Sequence, residues 1–262
     1  PIDLIFPSDY LVERLIAAGE LLELELEPGT LDRLAHWARE LGCDPGCRQS
    51  FPFAFGTTGY LVDTDAVSGH PGSWSLLFEP GGGPVGMLDE VREVAGAALI
   101  ASGNDPNDVS PPALAAACEL LAGQRSRVAR YDSGDFVSPV LARELAAHHA
   151  WSGPAALAAR AHQRLRYVVP EEGAVLWVTT GAVPTEAPEP DLSMALLARL
   201  TEPPLAARTT LEHGFATPNQ AAHAQLPAKI RDDPNLFADA ATLARCHTLR
   251  VLGAAEARLA AI

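Results

Sequence analysis

No apolar stretch in this chain reaches the roughly 18 residues that would cross a bilayer as a helix, because Glu, Arg or Pro breaks each of the longest runs. Basic charge is also scarce: 19 Lys and Arg stand against 33 Asp and Glu, a net charge of −14 at pH 7 over 262 residues. That balance repels nucleic acid and anionic membrane and is compatible with a cationic ligand, although a charge surplus is also an ordinary solubilising surface. Metal-ligand patterns are missing. No second Cys or His pair stands at ligand spacing, and the adjacent His148 and His149 would point in different directions on a helix. There is no internal repeat. The chain opens on Pro1 with neither an initiator Met nor a signal peptide, which by itself says nothing about export.

What is present is the material of a globular α/β protein. Hydrophobic residues make up 48% of the chain, enough for one large or two small cores. The four cysteines include Cys43 and Cys47, which flank the turn sequence Asp44-Pro45-Gly46. That turn could bring their α-carbons within disulfide range, or the two could be separate buried or loop thiols. Alanine-rich stretches with apolar residues three and four apart predict helices at 11–22, 31–41, 88–102, 111–121, 139–149, 154–164, 192–200, 205–213 and 236–261, the last in one or two pieces. Short apolar runs predict strands at 4–6, 51–55, 85–87, 167–169, 175–179 and 181–183. Strands alternating with helices argue for mostly parallel sheets flanked by helices.

The most telling passage is 3–16, where the apolar run is stopped by Pro7 and passes straight into a helix that Ser8 or Asp9 can cap. In open α/β sheets ligands sit beyond the carboxyl ends of strands, so Ser8, Asp9 and Tyr10 lie where a ligand would be.

That passage resembles the spermidine/putrescine-binding proteins of bacterial ABC importers, and further blocks resemble them in the same order. These are Asp44-Pro-Gly with Phe51-Pro-Phe-Ala-Phe-Gly-Thr-Thr-Gly59, Val85-Gly-Met-Leu-Asp-Glu-Val-Arg-Glu-Val94, Trp151-Ser-Gly153, Pro170-Glu-Glu-Gly-Ala-Val-Leu-Trp177, Gly214-Phe-Ala-Thr-Pro-Asn219 and Leu252-Gly-Ala-Ala255. The resemblance implies a two-lobed periplasmic binding protein of type II. Residues 1–58 would form part of the first lobe, 59–177 the second, and 178–262 the return to the first lobe with C-terminal helices. It further implies that a strand, a helix and a strand, on the order of 50 residues, stand upstream of Pro1. An extracytoplasmic, non-enzymatic monomer follows, one that clamps a polyamine or related amine between its lobes and presents it to ABC permease subunits, with no cofactor, metal or nucleic acid.

A polyamine carries ammonium groups separated by methylenes, so its site needs carboxylates at the ends and flat apolar walls along the stem. Trp151 and Trp177 match the family's ligand-contacting tryptophans, and indole offers the strongest cation–π face. Glu90 and Glu93, three apart in one helical turn, stand where the family has an Asp and a Glu pairing with ammonium, with Asp89 and Arg92 as support. Acidic residues there would also complement the helix dipole. Ser8 and Tyr10 complete the expected set, with Thr179 where the family has an acid, Phe215 where it has a phenol, and Leu249 at or beside a polar amide. Trp37 and Trp74 read as structural. Thr179 offers an ammonium a hydroxyl and no counter-charge, which points away from ordinary spermidine recognition and toward a monoamine, a quaternary ammonium or a less charged solute.

Two other classes remain open from the residues. An enzyme on the same frame would have Cys246 with His247, or Ser152 with His149, as its nucleophile and base. A sensor or transporter-fused domain would keep the scaffold with a changed ligand.

Overall fold

A computed structural model describes residues 2–67, 72–80, 83–259 and 262. The chain forms two compact units, one of Pro1–Gly56 with Trp177–Phe237 and the other of Thr57–Leu176 with Ala238–Ile262. Six strands run in chain order as β1 (Phe51–Asp63), β2 (Val85–Met87), β3 (Val128–Tyr131), β4 (Ala147–Trp151), β5 (Leu165–Val168) and β6 (Val175–Gly181). The chain passes from one unit to the other within β1, between Gly56 and Thr57, within β6, between Leu176 and Trp177, and once more after Phe237.

In the first unit the strand expected at 4–6 is reduced to a single bridge, in which Ile5 and Ala182 exchange both main-chain hydrogen bonds at 3.0 Å. Pro7 has no N–H with which to extend the ladder, although its carbonyl still accepts from Thr180 N at 2.9 Å. The run expected at 181–183 is likewise the tail of β6 followed by isolated bridges at Ala182 and Pro184. The helix expected at 11–22 runs over Asp9–Ala17 and buries Val12 against Leu21 and Ala182, with Ile5, Leu15, Ile16 and Cys43 packed around them. A second cluster joins Leu34, Cys47, Phe51 and Leu197.

The second unit is built on the sheet order β3-β2-β4-β1-β5, and β6 pairs with β1. The sheet is mixed: β2 is parallel to β3 and β4, whereas β1 runs antiparallel to β4 and β5. Two of its strands correct the sequence reading. The helix expected at 139–149 is confined to Ser138–Leu141, and Ala147–Trp151 is the strand β4 between β2 and β1. Ala147, His148, His149 and Ala150 are all fully buried there, so flanking strands decide a conformation that alanine propensity assigns to a helix. Close passage is enforced at Gly86, where a Cβ would stand 2.1 Å from the His148 ring. The short edge strand β3, alternately half-buried and exposed, gave no sequence signal.

The C-terminal segment also differs from expectation. Residues 238–262 belong to the second unit rather than the first. His247 bridges Val175 in parallel, its N–H donates to Ala174 O at 2.9 Å, and Asn107 Nδ2 donates to Thr248 O at 3.0 Å. The helix expected at 236–261 appears as Ala240–Ala244 and Glu256–Leu259, while positions 260 and 261 lie outside the described residues.

Candidate functional site

In the first unit the turn after Pro7 lies against β6. Ser8 and Thr179 pair in an antiparallel bridge, bringing two half-buried hydroxyl residues side by side. Ser8 occupies the N-cap position, but its hydroxyl makes no capping bond; only its carbonyl is used, accepting from Leu11 N at 3.0 Å and Val12 N at 3.1 Å. Trp177 lies two residues before Thr179, so the two share a face of the strand. Its ring meets Phe215 edge-on at 5.5 Å and 85°, and among the described residues its Nε1, shielded from solvent, has no acceptor. Phe215 is aimed by its neighbours: Gly214 ends the helix Pro203–His213 at φ 75°, and Ala216 bridges Phe55. Tyr10 is half-buried, its main-chain N–H donating to Asp9 Oδ1 at 3.0 Å.

Asp9, expected from sequence as a possible cap and, with Ser8 and Tyr10, at the ligand-facing turn, is 5% exposed. Burial pushes its carboxyl up to about 7, against the pull of main-chain hydrogen bonds from Tyr10 and Val178. An acidic residue inside a crevice turn was the available signal.

In the second unit Trp151 closes β4 and packs half-buried on the core cluster of Leu61, Leu88, Phe136 and Tyr167. Its Nε1 donates to Glu93 Oε1 at 3.5 Å, and its ring stands edge-on to Phe136 at 6.0 Å. The structure thus joins Glu93 to Trp151 but separates Glu90 from them. The helix begins at Val91, Glu90 is its exposed N-cap in extended conformation, and with Asp89, Arg125 and Tyr131 it lines a groove of about 710 Å³ that Glu93 does not line. Arg92 is buried and donates to Asn107 Oδ1 at 3.0 Å and Arg250 O at 3.1 Å, so it braces the C-terminal segment. Leu249 is buried in this unit.

The remaining candidates take other partners. Ser152 Oγ accepts from Thr57 N at 3.3 Å, while the His149 ring stands edge-on to Trp74 at 5.5 Å. Cys246 Sγ points to Thr242 O at 3.2 Å, and His247 Nδ1 faces Asp105 at 3.8 Å. Cys43 and Cys47 are free thiols, both pushed up to about 12 chiefly by burial. The turn between them is organised by Asp44, whose carboxylate accepts from Arg48 N, Gln49 N and Ser50 N. Trp74 is fully buried and donates to Gly173 O at 2.9 Å, whereas Trp37 is 37% exposed beside Phe55. Among the described residues no His, Cys, Asp or Glu cluster could hold a metal, and no helix is long and apolar enough to cross a membrane.

The turn after Pro7 beside β6, Trp151 at the end of β4 and Trp177 in β6 offer the polar and aromatic surfaces that a small solute requires. The chain belongs to the bacterial extracellular solute-binding protein family, whose pattern matches residues 1–238. It is 30% identical over 256 residues to spermidine/putrescine-binding periplasmic protein 1 of Haemophilus influenzae, covering 94% of this chain and 69% of that protein. It is equally 30% identical, over 277 residues, to the putrescine/cadaverine-binding protein of Pseudomonas aeruginosa, covering 98% and 77%. Its fold matches the solved spermidine/putrescine ABC transporter substrate-binding protein PotD of Streptococcus pneumoniae with a TM-score of 0.84 at 23% identity, covering 96% and 78%. The expected α/β class and extracytoplasmic solute-binding role hold on these relationships. So does the expectation of a non-catalytic protein, since the relatives are binding proteins.

Proposed function

We propose that this chain is the solute-binding component of an ABC importer and takes a small amine, a diamine or longer polyamine, using Trp177, Phe215, Thr179, Ser8 and Tyr10 of one unit and Trp151 and Glu93 of the other. The observation that carries this reading is the Trp151–Glu93 pair at 3.5 Å, an indole with a carboxylate at its edge, which is the combination a methylene chain ending in ammonium requires. The ligands in those relatives' names, spermidine, putrescine and cadaverine, are of that class. The two units act as the lobes, the chain works as a monomer, and its partners are the permease subunits of the importer.

Thr179 and Phe215 favour a second, narrower reading, in which the preferred solute carries fewer charges. A thermal-shift screen with diamines, triamines, monoamines, quaternary ammonium compounds and amino acids separates the two, because a bound solute raises stability by RT ln(1 + [L]/Kd). The proposal expects the largest shifts from putrescine, cadaverine or spermidine. Shifts confined to singly charged amines would establish the second reading, and shifts only with amino acids would overturn both.

A further inference from the structure

We propose that the groove at the start of the helix Val91–Ala101 is a second binding site, separate from the Trp151–Glu93 pair, for a solute with one ammonium head and an apolar body.

The groove lies wholly within the second unit, and its volume of about 710 Å³ falls in the range of small-molecule sites. Two helices turn one face each toward it. Val91 and Val94 stand three apart on the first of them, and Cys118, Leu121 and Arg125 follow one another at three and four along Pro111–Gln124 and its C-cap. Tyr131 of β3 supplies an aromatic wall. Val91 and Tyr131 are each 55% exposed, so part of this apolar surface is left uncovered by the chain itself.

The charges of the groove decide what fits it. Asp89 and Glu90 both line it where the helix begins. Glu90 is the N-cap, in extended conformation, and its side chain makes no capping bond; the main-chain N–H of Asp89 donates to Ser133 Oγ at 2.9 Å. Among the described residues neither carboxylate is in an ion pair, nor is Arg125. Glu93, one turn on from Glu90, accepts from Trp151 Nε1 instead and does not line the groove, so the two acids of this turn serve two places.

An ammonium set against Asp89 and Glu90 gains charge-assisted hydrogen bonds, and an apolar body attached to it removes Val91, Val94, Leu121 and the Tyr131 ring from water. A second ammonium finds no such place. It would lie on valine and leucine, which give it no counter-charge, or meet the like charge of Arg125. The groove therefore favours an apolar monoamine over a diamine, whereas the proposed amine site favours the diamine.

Cys118 lines the groove and is exposed, so its alkylation by iodoacetamide reports occupancy in the 262-residue chain. With phenethylamine present, the rate at Cys118, read by peptide mass spectrometry, is expected to fall by 1 + [L]/Kd, about threefold at twice the dissociation constant. Cys246, half-buried against Thr242 O and outside the groove, should react at an unchanged rate. Phenethyl alcohol, which has the same body without the charge, and putrescine should each protect about tenfold less well, as should phenethylamine on the Asp89→Asn, Glu90→Gln double variant. An unchanged rate at Cys118 under saturating phenethylamine would overturn the proposal, and so would equal protection by the alcohol or by putrescine. These comparisons need no variant and decide the matter if the double variant fails to fold; undiminished protection in a folded double variant would overturn it too. Protection that grows with protein concentration in the absence of any amine would make a second copy of the chain the occupant and overturn the proposal in its turn. Calorimetric titration with putrescine tests the proposed function separately, since its site includes none of the groove's residues.

Discussion

The indole N–H of Trp151 donates to Glu93 Oε1 at 3.5 Å, tying the end of β4 to the first turn of the helix that follows β2. Fixing both groups before a ligand arrives lowers the ordering cost of binding. In the other unit Trp177 is held by an edge-on ring contact with Phe215.

Replacing Trp151 or Trp177 with Ala is therefore expected to weaken amine binding by about 2 kcal/mol or more, as for aromatic anchors. Titration calorimetry on each variant, with circular dichroism to confirm folding, checks this. Unchanged affinity in both would refute the assignment.

Thr179→Asp is expected to raise affinity for putrescine and spermidine at low salt, by roughly 1.5–3 kcal/mol for a new charge-assisted hydrogen bond. The gain should be larger for a diamine than for a monoamine, because the second ammonium of the diamine is the one that lacks a counter-charge at Thr179. Equal gains for both would mean that the added charge acts only through the general field.

Acid should destabilise the second unit through His149. Burial, with a smaller contribution from His148, holds this imidazole down to about 3, and its ring nitrogens have no hydrogen-bond partner among the described residues. The unfolded chain takes up a proton at about 6.5 that the folded chain refuses, so stability is full above that pH and falls as pH drops toward 3. At about pH 5 the loss is about 2 kcal/mol. His149→Phe, which keeps a ring edge-on to Trp74, should flatten the fall in melting temperature between pH 7 and about 5. An unaltered slope would show that other groups dominate.

Asp9 has the opposite sign. The folded state keeps its proton up to about 7 whereas the unfolded chain releases it near 3.8, so the contribution is full below 3.8 and is lost as pH rises through 7. Asp9→Asn should therefore be more stable than the unmutated chain at about pH 8, by roughly 4 kcal/mol at most, with the difference closing at about pH 4. Melting curves across that range decide it. A variant less stable at every pH would show that the main-chain hydrogen bonds of the carboxylate outweigh the cost of its burial.

Much of this was legible from the residues. The helix Asp9–Ala17 declares itself through Pro7, the polar pair Ser8-Asp9 and an apolar stripe at Val12, Leu15 and Ile16, all signals acting within a few residues. Trp151, Trp177 and Phe215 were marked by the blocks around them. What failed was the conformation of Ala147–Trp151, where alanine spoke for a helix and the neighbouring strands imposed β4. The destination of residues 238–262 failed as well, because it is set by a bridge between His247 and Val175 that no local pattern announces.

The sequence by itself determined the family, the α/β class, the turn at Pro7 and the aromatic candidates Trp151, Trp177 and Phe215 of the proposed site, since these depend on residue identity and short-range periodicity. Only the tertiary structure decided that Ser8 lies against Thr179, that Glu93 and not Glu90 meets Trp151, and that Asp9 is buried without a cation. Desolvation and pairing are properties of what the folded chain brings alongside a group from far along the sequence, and it is those neighbours that push up the ionisation of an acid in the first turn of a helix.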